Sequence, residues 1–133
     1  MDRFNRLLAG AEPMVLSIFR IVTGLLLFQY GVAKLFKFPV MPYFANIPPL
    51  ITVAGAIELV LGALLILGLW TRPVAFILSG EMAFAYFMGH YPKGFIPLIN
   101  GGNAAILFCF ACLYLACAGG GLWSADAMMG KKR

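Results

Sequence analysis

Four long apolar segments, separated by short connections, dominate the sequence. They cover residues 14–36, 50–70, 73–89 and 104–119. A helix needs about 20 apolar residues to cross roughly 30 Å of hydrocarbon, and a helix satisfies all the backbone hydrogen bonds of a single segment in lipid. The pattern therefore predicts an all-α membrane protein, a four-transmembrane-helix bundle with helices at 14–36, 50–70, 73–90 and 101–119.

The composition favours the same interpretation. Hydrophobic residues make up 62% of the 133 residues and charged residues 11%, against about 45–50% and about 25% in soluble domains. A chain of this length accommodates one domain, so we expect residues 1–133 to form a single membrane domain. The basic residues lie at the chain ends and between apolar segments, which argues against nucleic-acid binding. The first apolar segment is longer than the core of a signal peptide, so we expect it to be retained.

The distribution of basic residues predicts the orientation of the bundle. With four spans, both termini and the second connection share one side of the membrane, and the first and third connections share the other. Basic residues on these two sides number six and two. Because cytoplasmic loops carry the excess of Lys and Arg, both termini are expected in the cytoplasm. The six are Arg3, Arg6, Arg72, Lys131, Lys132 and Arg133, and the two are Lys37 and Lys93.

Four ionisable residues fall within the predicted spans: Arg20, Lys34, Glu58 and Glu81. Such residues are costly in lipid and usually face the interior of a bundle, where they pair. Arg20 and Glu81 lie at similar depths in their helices, and Glu58 lies within reach of a Lys34 side chain that bends inward. We therefore predict the buried ion pairs Arg20–Glu81 and Lys34–Glu58, although Arg20 is able to reach either carboxylate. Such pairs either fix the helix register without doing chemistry or belong to a functional site.

A second group of polar residues lies at the outer end of the predicted bundle. His90 follows the third helix, and Asn100 and Asn103 lie at the start of the fourth, near connections rich in Phe, Tyr and Pro. Asn residues can cap a helix by satisfying its first amides, but those amides also suit a polar or anionic ligand. The sequence is compatible with both roles, helix capping and ligand binding. The candidate ligand-binding residues are Lys34, Glu58, His90, Asn100 and Asn103.

We do not expect a metal site. His90 is the single histidine, and the carboxylates lie too deep in the predicted bundle to join it. Cys109 and Cys112 have the C-x-x-C spacing, and Cys117 follows them on the predicted fourth helix. Thiols in the middle of a membrane are more typical of packing than of a redox pair.

The order and spacing of these residues resemble the DoxX family of small bacterial inner-membrane proteins over nearly the whole chain. The resemblance rests on Arg20 with Gly24, on GVAKL at 31–35, on GAIELVLG at 55–62 and on NGG at 100–102. Family members often have Glu directly after NGG, where this chain has Asn103, and a Ser-Leu-Asp tail, which is Ser-Ala-Asp at 124–126. The resemblance implies a four-helix bundle, a bacterial inner-membrane location and an association with quinone-linked oxidation.

Three functions follow as hypotheses. The first is an accessory membrane subunit of a quinone-linked redox complex, with a quinone or similar amphiphile bound in the polar cluster. The second is a non-catalytic scaffold or assembly subunit, and the third is a small transporter or proton pathway. The sequence has no nucleotide-binding loop and no soluble catalytic module, so any oxidoreductase activity would need partner subunits. Apart from a quinone we expect no cofactor, and the expected partners are the lipid bilayer and a membrane protein or a second copy of the chain.

Overall fold

The computed structural model describes residues 1–130, and within that range the chain is all-helical, with no β-strand. The all-helical class predicted from the sequence is confirmed. The basic residues at 131–133, which contribute to the predicted orientation, lie outside the described residues. In chain order the α-helices are α1 (Asp2–Phe36), α2 (Pro49–Leu67), α3 (Thr71–Ala85), α4 (Pro97–Asn100), α5 (Asn103–Ala118) and α6 (Ala125–Met128).

The first helix begins at Asp2, before the predicted start at residue 14. The predicted membrane span does not include the charged residues before Pro13, because charges argue against a membrane span. They do not argue against a helix, since Phe4, Leu7 and Leu8 recur at the spacing of one helical face. Pro13 lies inside α1, where it removes a single backbone hydrogen bond.

Three other helix ends differ from the predicted bounds for local backbone reasons. Gly68, with φ +72°, ends α2 at Leu67, before the predicted residue 70. The regular α-helical part of α3 ends at Ala85, and the chain continues to His90 as a π-helical turn over Tyr86–His90. Gly101, with φ +75°, ends the short helix α4, so that α5 begins at Asn103 and not at residue 101.

Helices α1 and α2 form an antiparallel pair with glycines along their contact. A Cβ added at Gly31 would lie 2.6 Å from the Leu59 backbone nitrogen, and one at Gly24 would lie 2.8 Å from that of Ile66. Gly62 faces the backbone of Phe28 in the same way. Small residues at these positions let the two backbones approach closely, as at many helix contacts in membranes.

Helices α3 and α5 form the second antiparallel pair. The Ser79 hydroxyl donates to the Cys109 carbonyl at 2.8 Å, and the Arg72 guanidinium donates to the Cys117 carbonyl at 2.6 Å. Leu78 and Cys112 are fully buried where the two pairs meet, together with other core residues. These include Leu16, Leu27, Leu65, Val74, Ala75, Met82 and Leu115.

The two ends of the bundle differ, and we name them by a buried cation near each. The Lys34 end contains the α1–α2 connection and the segment between α3 and α5. The Arg20 end contains the short α2–α3 turn and residues 119–130. There Asp126 accepts hydrogen bonds from the Trp70 and Thr71 amides at 2.8 and 2.9 Å. Trp70 is the N-cap residue of α3 and Thr71 is its first residue, so Asp126 caps that helix and holds the C-terminal segment against the bundle.

The outside of the bundle is strongly apolar. Two helices, Asp2–Phe36 and Pro49–Leu67, are long and apolar enough to cross a membrane, and Asn103–Ala118 is a shorter apolar helix. Large apolar side chains lie exposed on several helices, for example Val22, Val60, Phe76 and Phe110. Exposed apolar surface of this extent is typical of a protein that contacts lipid.

Candidate buried charge site

Lys34 and Glu58 form an ion pair inside the bundle. The Lys34 ammonium lies 2.8 Å from Glu58 Oε1 and 2.9 Å from Oε2, and thus bonds to both carboxylate oxygens. Glu58 has no exposed surface, and the Lys34 side chain is 12% exposed. Gly55, one turn before Glu58, packs against the Lys34 stem, where an added Cβ would lie 2.8 Å from the Lys34 Cβ. The pair therefore depends on the close α1–α2 contact.

Two aromatic rings lie beside the Lys34 ammonium. The nitrogen is 5.8 Å from the ring centre of Tyr30, one turn earlier on α1, and 5.7 Å from that of Phe44. Phe44 ends the 3-10 turn Pro42–Phe44 in the α1–α2 connection, so this connection folds over the site. Ring faces attract cations. The ammonium is therefore held between a carboxylate and two apolar rings.

Glu81 of α3 joins this site and does not pair with Arg20. Its carboxyl group lies within hydrogen-bonding reach of the Glu58 carboxyl group, and Lys34 is the nearby cation. Glu81 Oε1 is buried and has no hydrogen-bond donor among the described residues. The predicted Arg20–Glu81 pair is thus corrected. Depth along the helices suggested it, but the side chain of Glu81 faces α2 at Glu58.

The guanidinium of Arg20, which is 1% exposed, bonds to backbone carbonyls in place of a glutamate. Nε donates to Leu65 at 3.0 Å, and Nη2 donates to Trp123 at 2.9 Å. Nη1 donates to the Gly120 carbonyl, and Nη2 also reaches Ile66. The acidic residue near Arg20 is Asp126. The sequence does not predict this neighbour, although the Ser-Ala-Asp tail is a signal that the segment carries specific contacts.

The other candidate ligand-binding residues form a separate cluster at the Lys34 end. His90 Nδ1 lies 3.1 Å from the Asn100 carbonyl oxygen. The Asn100 amide donates to Tyr86 Oη at 3.1 Å and to the Gly94 carbonyl at 2.9 Å, and it accepts from the Gly102 amide at 2.8 Å. Asn100 is buried, and both its amide nitrogen and its amide oxygen form hydrogen bonds within this segment. The side chain therefore orders the segment. Asn103 is exposed and makes no such contact within residues 1–130.

Comparison with known proteins identifies the family to which this arrangement belongs. The sequence profile of the DoxX family matches residues 15–91, more than half of the chain. The chain belongs to the DoxX family. An uncharacterised protein of Haemophilus influenzae is 43% identical over 127 residues, covering 91% of this chain and 95% of that protein. No solved structure matches the chain.

The DoxX match divides the candidate residues into two groups. Arg20, Lys34, Glu58 and Glu81 all lie within the matched residues, as does His90 near their end. Asn100 and Asn103 lie beyond them. A ligand-binding role for any of these residues stays a prediction. Within residues 1–130, no three His, Cys, Asp or Glu side chains come together in a way that suits a metal ion.

Proposed function

We propose that this DoxX protein is a multi-pass protein of the bacterial inner membrane, with four spans and both termini in the cytoplasm. Helices α1 and α2 are each long and apolar enough to cross a membrane. Together, α3 and its π-helical turn run from residue 71 to residue 90, or about 30 Å at 1.5 Å per residue. The 16 residues of α5 are about 24 Å long, and exposed apolar residues of the preceding segment, Ile96, Leu98 and Ile99, extend its apolar surface.

Within that membrane, we propose that the protein is an accessory subunit of a quinone-linked redox complex and binds a quinone or similar amphiphile beside Lys34. The observation that carries this proposal is the setting of the Lys34 ammonium. An ammonium has three N–H groups, and two bonds go to Glu58. The third is available to a ligand carbonyl between the rings of Tyr30 and Phe44.

The chemistry of a quinone suits this setting. Its ring is planar and apolar, and its carbonyl oxygens accept hydrogen bonds, while its isoprenoid tail needs an apolar surface. Ligand sites of this kind combine apolar walls with a few placed polar groups. Lys34 supplies a donor, the two rings supply walls, and the lipid-facing helices supply the surface for the tail. His90 and Asn103 are further candidates at the same end of the bundle.

Mass spectrometry of the protein purified in mild detergent tests this proposal. Both bound lipids and co-purifying proteins are identified, and Phe44→Leu is compared with Phe38→Leu, an exposed aromatic residue in the same connection. We expect a quinone with the wild type and with Phe38→Leu, less quinone with Phe44→Leu, and a larger membrane partner in each sample. A wild-type sample without quinone contradicts the ligand assignment.

The setting of Arg20 favours a second function, that of a non-catalytic scaffold. All the hydrogen bonds of its guanidinium go to backbone carbonyls of α2 and of the C-terminal segment. Such bonds hold chain segments together and leave few N–H groups of Arg20 for a ligand. A stoichiometric membrane partner that co-purifies without any quinone favours this function over the first.

A further inference from the structure

The contact between Glu58 and Glu81 lacks a hydrogen-bond donor. The two carboxyl groups lie within hydrogen-bonding reach of each other, but ionised carboxylates only accept hydrogen bonds. Glu81 Oε1 is buried and has no donor within residues 1–130. Buried polar atoms are almost always paired. A donor is therefore missing at the point where the two groups meet.

The charges around the pair lead to the same conclusion. Lys34 of α1 is the cation at this site, and it bonds to both oxygens of Glu58 of α2. Helix α5, which packs against α3, carries Cys109, Cys112 and Cys117 and contains no Lys or Arg, so that helix brings thiols and no cation. Tyr30, a further titratable group, has its ring centre 5.8 Å from the Lys34 nitrogen. One cation faces two acids, and an unbalanced charge in a low-dielectric interior is costly.

We propose that Glu58 and Glu81 together bind one proton, and that the Lys34–Glu58–Glu81 site is a membrane-embedded proton-binding site. The proton forms an O–H bond on one carboxyl group and a hydrogen bond to the other, which supplies the missing donor. With Lys34 charged, the site is then neutral. When the proton is released to water, the site has a net charge of −1. Lys34 is 12% exposed and Glu58 is not exposed, so the exchange route runs past Lys34 and Phe44. The proposal holds whether or not a quinone binds.

Infrared spectroscopy of the full-length protein in lipid nanodiscs tests this proposal. A protonated carboxyl group gives a C=O stretching band that ionised carboxylates lack. The chain contains three glutamates, Glu12, Glu58 and Glu81, so ¹³C labelling of the glutamate carboxyls separates their band from that of aspartate. At neutral pH we expect a label-sensitive band in the wild type.

Substitutions of the two acids and of Lys34 should change this infrared band in opposite directions. Glu81→Gln and Glu58→Gln should each lose the band, because the remaining carboxylate then pairs with Lys34. Glu12→Gln, an exposed control, should keep it. Lys34→Met should enlarge the band about twofold, because both acids then bind protons. This variant tests the proposal even if the Gln variants fail to fold. No band in the wild type, a band that survives in either folded Gln variant at the site, or an unchanged band in Lys34→Met would overturn the proposal.

Discussion

Arg20 and Gly120 lie a hundred residues apart in the sequence, yet the Arg20 guanidinium donates a hydrogen bond to the Gly120 carbonyl. The same side chain reaches Leu65 in α2 and Trp123 in the C-terminal segment. One buried cation therefore joins α1, α2 and the end of the described chain. Because its hydrogen-bond partners are backbone carbonyls, we expect substitution of Glu58 or Glu81 to leave these bonds intact.

We predict that Arg20 and Glu81 are energetically independent. Arg20→Met should lower thermal stability in detergent, because several buried carbonyls lose a donor at about 1–3 kcal/mol for each group left unsatisfied. Glu81→Leu should change the free energy of unfolding by the same amount in the wild type and in Arg20→Met. A double-mutant cycle measures this, and residues that do not interact are additive within about 0.3–0.5 kcal/mol. Coupling above that range contradicts the observed separation of the two residues.

Lys34 and Glu58 should show the opposite behaviour. Lys34→Met and Glu58→Leu each remove one partner of the buried ion pair, which typically costs about 3–5 kcal/mol. The double variant should cost clearly less than the sum of the two, since neither charge remains. The same unfolding assay measures the coupling, and the Arg20–Glu81 cycle is its control. Additive losses would mean that the ion pair does not form in the membrane.

The close contact between α1 and α2 gives a third prediction. Gly31→Val should destabilise the protein by about 1–3 kcal/mol, because even its Cβ would lie 2.6 Å from the Leu59 backbone nitrogen. Gly80 is the matched control, since a Cβ there meets nothing within 4 Å. Gly80→Ala should be neutral or stabilising by up to about 1 kcal/mol. Equal effects of the two substitutions in thermal unfolding would contradict the observed packing.

The orientation in the membrane is tested by labelling single cysteines from the periplasmic side. In a variant without Cys109, Cys112 and Cys117, a membrane-impermeant reagent should label a cysteine at position 37 or 93. It should not label one at position 131, because the basic residues favour the cytoplasm for both termini. Permeabilised cells serve as the control, in which all three positions should react. Labelling at 131 alone in intact cells would reverse the proposed topology.

The helical class and the family were predictable from the sequence for a simple reason. Long apolar segments leave few alternatives to helices, and the spacing of Lys34, Glu58 and the glycines around them is distinctive. The structure brings Lys34 and Glu58 together because the glycine contacts place them at matching heights on neighbouring helices. Depth and helical face, both of which are readable from a sequence, were sufficient for that pair.

The surroundings of Arg20 and Glu81 were not predictable in the same way. Every residue has a backbone carbonyl, so no residue type marks Gly120 or Trp123 as a partner of a buried Arg. Pairing by opposite charge also predicts no contact between Glu58 and Glu81, since a proton that two acids share leaves no trace in the sequence. The C-terminal segment folds back because Asp126 caps α3, and this requires knowing where α3 begins.

Quinone titration is a direct test of whether the Lys34 site binds a quinone-type ligand. A short-tailed ubiquinone analogue is titrated into the full-length protein in nanodiscs, and the dissociation constant is compared across Tyr30→Leu, Phe44→Leu and the control Phe38→Leu. We expect saturable wild-type binding that is unchanged in Phe38→Leu and weakened in both variants beside Lys34, by about tenfold if each ring contributes about 1.4 kcal/mol. Equal affinity in all four proteins, or no saturable binding to the wild type, would contradict the claim.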